Sequence, residues 1–145
     1  MLKGSKITDD RGALTFNNEF KFDGVKRFYI VENHSPNFIR AWHGHVHEKK
    51  YIMCLSGAAI VCYRPLDESP ATSESKLVRK VLSPNGEVLE IPANNYNGWK
   101  NLTADTKLII FSCSSLEESA KDDIRKEVNY FPMDCWEVIQ RDRKS

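Results

Sequence analysis

Residues 40–57 read RAWHGHVHEKKYIMCLSG, and their pattern decides the fold. The segments 38–42 and 50–55 are short, apolar and rich in aromatic and β-branched residues, Ser56-Gly57 is a turn signal, and a third apolar run covers 58–64. That is strand, strand, tight turn, strand. In an extended chain alternate side chains share a face, so His43 and His45 point the same way. Ile39, Trp42 and the apolar run after Lys50 flank the pair, so this face is expected to line a cavity rather than meet solvent. His47 falls toward a turn and His34 lies in a polar loop, and both are expected at the surface.

The same punctuation extends in both directions. Strands are predicted at 13–16, 25–31, 76–82, 88–91 and 106–112, separated by turn signals at 33–37, 83–86 and 103–105. Regularly spaced short strands of this kind define an all-β sandwich or barrel. The polar, Pro-containing stretch 64–76 reads as a surface loop. A helical signal comes late, where Ser115 followed by Glu118 fits a capping box, with Leu116, Ala120 and Ile124 loosely periodic behind it. Beyond Val128, the residues Phe131, Met133 and Trp136 predict a tail that folds back over the barrel, and 141–145 are expected to fray.

A length of 145 residues implies a single domain, 1–145, large enough to hold a core without staples. Lys plus Arg total 21 against 20 for Asp plus Glu, a net charge of +1. So even a balance gives no global field, which argues against nucleic acid or an anionic membrane as partner. Any anion must be held by a local constellation. Met1 to Asp10 has no apolar run and reads as neither signal nor transit peptide, and no stretch has the length of a membrane span. The four cysteines, Cys54, Cys62, Cys113 and Cys135, have no C-x-x-C spacing and are expected to be free thiols of a cytoplasmic protein, with no basic neighbour to make one a nucleophile.

Two frames resemble the paired motifs of the cupin superfamily. His43-Gly-His45, four residues, Lys50, six residues and Gly57 follow the first motif, with Lys50 where a metal-binding Glu stands. Gly86, five residues, Pro92, Ala93, Asn94, two residues, Asn97, three residues and Asn101 follow the second, with Asn97 at its metal-binding His. The resemblance implies a cupin double-stranded β-helix, or jelly-roll, barrel with a short C-terminal helical segment. It also implies no metal and no other cofactor, because an ammonium repels a divalent cation and Asn is a poor replacement for imidazole. Glu48 is a possible substitute ligand, but its spacing differs.

Arg40-Ala-Trp-His43-Gly-His45 resembles the R-G-x-H of dTDP-4-dehydrorhamnose 3,5-epimerases and the R-G-x-H-A-H of dTDP-sugar 3,4-ketoisomerases. Asp9-Asp10-Arg11-Gly12 looks like the D-x-R-G start of both groups, Lys26-Arg27-Phe28-Tyr29 the K-R-x-Y strand of the ketoisomerases, and Lys50 a lysine of the epimerases. Asp122-Asp123-Ile124-Arg125 and Trp136 resemble short sugar epimerases of surface-polysaccharide synthesis. Against the epimerase pattern, Phe111 stands at a Tyr acid and Asn97 at a second histidine, and 94–99 is not the loop of either group.

The expected activity is epimerisation of a nucleotide-linked, dTDP-type 4-keto-6-deoxy sugar. Ketone migration and sugar binding without catalysis are the alternatives. A carbon beside the ketone loses a proton to a base, and a donor holds the enolate oxygen. His43 is the expected base, since imidazole titrates near pH ~6.5. Lys50 or the Tyr29 hydroxyl is the expected enolate donor, and the resemblance gives His45 a relay role. Arg40, Arg11, Arg27 and Asn97 form the expected substrate-binding set, because guanidinium forks match phosphate oxygens. The resemblance further implies a homodimer exchanging its first strand, so that Arg11 serves the partner's site. Strict alternation sets Arg40 and His43 on opposite faces, and both reach one site only if a bulge or the barrel mouth re-aims one of them.

Overall fold

The computed structural model describes residues 1–71 and 75–142. The chain forms an exposed hairpin, β1 (Ser5–Asp9) and β2 (Gly12–Phe16), and then two antiparallel sheets. One has the order β3-β10-β5-β8, from β3 (Arg27–Val31), β10 (Lys107–Ser112), β5 (Lys50–Ser56) and β8 (Val88–Ile91). The other has the order β11-β4-β9-β6-β7, from β11 (Ile124–Arg125), β4 (Ile39–His45), β9 (Asn95–Asn101), β6 (Ala59–Pro65) and β7 (Val78–Leu82). This is the jelly-roll arrangement that the cupin resemblance implies, and its short antiparallel strands are those of the strand pattern. Among the described residues no helix is long and apolar enough to cross a membrane.

Alternation sorts the side chains. Ile52, Cys54, Ala59, Val61, Leu89, Ile91, Trp99, Leu108 and Ile110 face inward and form the barrel core, with Tyr29, Val31 and Tyr63 packed against them. The outer face of the five-stranded sheet presents Trp42, Ile60, Cys62 and Tyr96. The C-terminal tail covers it, through 3-10 turns at Val128–Tyr130 and Met133–Trp136, with Phe131 edge-on to Trp42 at 5.4 Å. Burying such aromatics contributes roughly 1.5–3 kcal/mol each. Phe131 and Trp136 fold back as expected, whereas Met133 is partly exposed. The 64–76 connection is anchored by a buried ion pair, Arg64 Nη2 to Glu68 Oε1 at 2.7 Å, with the guanidinium 4.0 Å from the Phe131 ring centre. Residues 72–74 of that connection and 143–145 of the tail expected to fray lie outside the described residues.

Three strands differ from expectation. β1 and β11 were hidden by polarity and brevity, and 95–101 forms β9 rather than a loop. Three of its seven residues are Asn, which masks the alternation, yet Trp99 packs in the interior while Tyr96 packs outside. The helix α1 ends early, spanning Leu116–Ala120 with the Ser115–Glu118 capping box in place, and Ile124 belongs to β11. Cys54, Cys62 and Cys135 are buried free thiols and Cys113 is half-buried. A side-chain contact with Cys135, together with burial, pushes the Cys62 thiol up and out of the titrating range.

Candidate active site

The bulge is present on β4. Arg40 pairs with Trp99 and His43 with Asn97, so three steps on β4 match two on β9. The extra residue lies in Ala41-Trp42, which includes a cis peptide bond. It turns Trp42 outward and returns Arg40, His43 and His45 to the same interior face. Gly98 makes room for it, since a Cβ there would lie 2.6 Å from the Ala41 Cβ. The turn after β5 has a similar cause, because Gly57 has φ +71° and a Cβ would sit 2.3 Å from Thr103 Oγ1.

The interior opens into a cavity of about 490 Å³. Six of the eight predicted site residues line it: Tyr29 and Arg27 from β3, Arg40, His43 and His45 from β4, and Lys50 from β5. Trp99 forms the floor beside His43, their ring centres 6.3 Å apart. Asn97 is 1% exposed and lies behind this wall, with no hydrogen-bond partner for its Oδ1 among the described residues. Arg11 is remote, fully exposed in the β1–β2 turn and paired with Asp9 at 2.6 Å. Phe111 is on the outer face of its sheet, packed against Phe20 and Phe22, so it occupies no place in the cavity.

Glu48 is the centre of the site and was not among the predicted residues. Its side chain is 1% exposed and has four polar neighbours: Lys50 Nζ at 3.2 Å, His45 Nε2 at 3.5 Å, Arg27 Nη2 at 3.6 Å and the Ser119 hydroxyl, which donates to Oε1. Burial pushes its carboxyl up, but Lys50, Ser119 and His45 outweigh this and hold it below the ordinary carboxylate value. The motif around Asp122 explains how Glu48 is aimed inward. The Asp122 carboxylate accepts the backbone N–H groups of Val46, His47 and Glu48 at 2.7, 2.8 and 3.0 Å. Its own carbonyl accepts from His45 Nδ1, which orients that ring with Nε2 toward Glu48. The sequence signal was the Asp122–Arg125 motif, whose role cannot be read without the fold.

This donor set does not fit a divalent cation. The Glu48 carboxylate beside His45 is already engaged by the Lys50 ammonium and the Ser119 hydroxyl, and among the described residues no cluster of His, Cys, Asp and Glu is gathered around a common point. Arg27 is likewise occupied, donating to the Ser114 carbonyl at 3.2 Å and the Ser119 hydroxyl at 2.8 Å, and its guanidinium lies 5.0 Å over Tyr29. Arg40 is held by Asn33 Oδ1 at 2.6 Å.

His43 departs from the ordinary imidazole value. Burial, followed by the charges of Lys50, Arg125 and His45, lowers its pKa to about 4, against an opposing contribution from Asp123. The ring is therefore neutral at pH 7 and able to accept a proton. The unfolded chain takes up this proton near 6.5 and the folded chain only near 4, so protons favour the unfolded state between these values. Stability contributed by neutral His43 should be full above pH 6.5 and lost as pH falls toward 4. Denaturant titration should give a smaller stability slope over that window for His43→Asn than for the native chain. Equal slopes would mean that His43 titrates normally.

An antiparallel jelly-roll barrel with an open cavity built around a buried carboxylate defines the class as a cupin-type protein. Over residues 1–133 the chain matches the family described as FdtA: WxcM-like, C-terminal, and it belongs to that family. No curated protein matches it. Among solved structures, the chain is similar to the WlaRB TDP-quinovose 3,4-ketoisomerase from Campylobacter jejuni, with 23% identity, a TM-score of 0.66, and coverage of 89% of this chain and 93% of that one. It is similar to the QdtA sugar 3,4-ketoisomerase from Thermoanaerobacterium thermosaccharolyticum in complex with TDP, at 21% identity, a TM-score of 0.67 and coverage of 91% and 90%. It is also similar to the dTDP-4-dehydrorhamnose 3,5-epimerase from Bacillus anthracis with TDP and PPi bound, at 19% identity, a TM-score of 0.69 and coverage of 85% and 75%. At these identities the likeness establishes the fold.

Proposed function

We propose that the protein is a metal-independent isomerase of a nucleotide-linked keto sugar, acting by proton transfer in the barrel cavity. The observation that carries this reading is His43 facing a cavity whose lining also holds Lys50, Glu48 and His45, with Glu48 Oε2 3.2 Å from Lys50 Nζ and 3.5 Å from His45 Nε2. His43 takes the proton from the carbon beside the ketone, and Lys50 and the Tyr29 hydroxyl stand as donors to the enolate oxygen. A base with a pKa near 4 is weak, but it is wholly in its active form at neutral pH. Arg40 and Arg27 add positive charge to the cavity lining.

Epimerisation and ketone migration share the first proton abstraction and differ in where the proton returns. Two features favour migration. His45 shares the cavity with His43, so a second imidazole is available, and Phe111 points away, so no acid stands at the epimerase tyrosine position. The similar ketoisomerases are also matched over nearly their whole length, the epimerase over three quarters of its own. The test is exchange in deuterated water on a TDP-4-keto-6-deoxy sugar. A shifted ketone supports migration, inversion without a shift supports epimerisation, and binding without exchange leaves a sugar-binding protein. We further place the enzyme in the cytoplasm, in the synthesis of a surface-polysaccharide sugar.

The assembly we propose is a homodimer. Phe28, Ile30, Phe22 and Leu55 are exposed together on the outer face of the four-stranded sheet, beside an apolar cavity of about 310 Å³. The β1–β2 hairpin carries exposed Ile7 and Leu14, and its Arg11 lies outside the barrel cavity of its own chain. An apolar sheet face and a projecting hairpin both call for cover. Light scattering should give twice the 16.7 kDa chain mass at micromolar concentration. A particle of one chain mass would contradict this.

A further inference from the structure

Among the described residues that line the barrel cavity, Lys50 is the one lysine. It opens β5, where it pairs with Ser112 of β10 on one side and Ile91 of β8 on the other, so its backbone is fixed from both flanks. Its Nζ lies 3.2 Å from Glu48 Oε2, and no second partner engages that nitrogen among the described residues. An ammonium has three N–H bonds and no lone pair. One points at Glu48, which leaves two for oxygens in the cavity. Glu48 is itself held in place, its backbone N–H by Asp122 at 3.0 Å and its Oε1 by the Ser119 hydroxyl.

Moving a ketone by one carbon transfers two protons by different routes. One leaves a carbon and returns to its neighbour, and His43 carries it. The hydroxyl oxygen beside the ketone must also lose its proton, while the ketone oxygen gains one. His43 keeps the carbon proton through the enediol stage, so the oxygen proton needs a second carrier. Resting on the keto-sugar isomerase reading, we infer that Lys50 carries the oxygen proton and that Glu48 is the residue that positions it. An N–H bond of Lys50 breaks as an O–H bond forms at the former ketone oxygen, which leaves a neutral amine. The neighbouring O–H bond then breaks, and its proton forms the N–H bond anew. Its electron pair becomes the new carbonyl, and the carbon–carbon double bond takes the proton back from His43 at the former ketone carbon. The ammonium is restored, and the sugar neither gains nor loses an atom. While Lys50 is an amine, the buried Glu48 carboxylate stands without its counter-charge, which drives a proton back to Nζ. The charge beside Tyr29 is the Arg27 guanidinium, 5.0 Å from its ring centre, which gives a tyrosinate no such drive.

The test follows two NMR signals from TDP-4-keto-6-deoxyglucose in deuterated water: deuterium on the carbon beside the ketone of unshifted sugar, and appearance of the shifted ketone. Their ratio separates oxygen transfer from carbon transfer. Lys50→Gln keeps an N–H donor for the enolate oxygen but passes on no proton, so the ratio of shifted to exchanged sugar should fall by about tenfold or more. Glu48→Gln should lower it by less, and Glu48→Asp, which keeps the charge, should recover part of that loss. Tyr29→Phe should slow both signals and leave their ratio as in the native protein. Thermal melting verifies that each variant folds. If Lys50→Gln melts early because Glu48 is left unpaired, the double variant Lys50→Gln with Glu48→Gln carries the test, since its two amides pair without charge. An unchanged ratio, or loss of both signals together, in Lys50→Gln and in the double variant would overturn the inference and leave Lys50 as an enolate donor alone. A ratio that falls equally in Tyr29→Phe would overturn it as well. A native protein that exchanges deuterium without moving the ketone would overturn the inference and leave an epimerase. One that binds the sugar and exchanges nothing would overturn the isomerase reading itself.

Discussion

Replacing His43 by Asn should slow deuterium exchange into a TDP-4-keto-6-deoxy sugar by at least about a hundredfold. Loss of a general base costs ~10²–10⁴ in rate. Asn retains the size and some hydrogen bonding of the ring but accepts no proton near neutral pH. His43 is only partly buried, at the junction of β4 and β11, and its ring packs beside Trp99. Nucleotide affinity should therefore change little, and the loss should fall on kcat rather than on binding. His45→Asn should cost about as much if the reaction moves the ketone with both imidazoles, and less if it epimerises with one. Native exchange in His43→Asn would place the base elsewhere. Loss of nucleotide binding as well would mark the residue as structural.

The second large effect is expected at Glu48. Replacing it by Ala leaves Lys50 buried without its carboxylate and removes the acceptor of Ser119 and the partner of His45. Removing one partner of a buried ion pair typically costs ~3–5 kcal/mol, because the remaining charge has no water to return to. Denaturant unfolding should register a loss of this order. Glu48→Gln keeps an acceptor for Ser119, so its loss should be smaller, though Lys50 remains unpaired. The pH dependence has a definite sign. Since the folded carboxyl is held below its ordinary value, its contribution is present above the carboxylate range and lost as pH falls through the folded pKa. The native chain should therefore lose more stability on acidification than Glu48→Gln does. An Ala variant as stable as the native chain would mean that the cluster is solvated.

The histidine pair, the turn at Ser56-Gly57 and the capping box at Ser115 were legible because each depends on local spacing. The barrel followed from the strands they punctuate. Strand β9 was not legible, because its inward positions are filled by Asn97, Trp99 and Asn101, and polar side chains erase the apolar alternation that marks a strand. The union of Arg40 with His43 required a bulge that strict alternation forbids, and the signal for it, Gly98, lies on the neighbouring strand.

Glu48 was passed over because its position fails the metal-ligand spacing. Its importance comes from Asp122, more than seventy residues later, which binds the 46–48 backbone and turns the carboxylate inward. The lowered pKa of His43 was equally inaccessible, since Arg125 reaches it only through the β11–β4 pairing. Arg11 belongs to the other category. Its motif was visible, but in its own chain it pairs with Asp9 in the exposed hairpin turn, away from the cavity.

The central claim is that the cavity transfers a proton on a nucleotide-linked keto sugar. It is tested most directly by incubating the native protein with TDP-4-keto-6-deoxyglucose in deuterated water and following the sugar by NMR. The account predicts deuterium on the carbon beside the original ketone and a ketone moved by one position, at a rate that stays level as pH falls from 8 to about 5, because His43 remains unprotonated until about 4. A sugar that binds and returns with no deuterium at any carbon would contradict it.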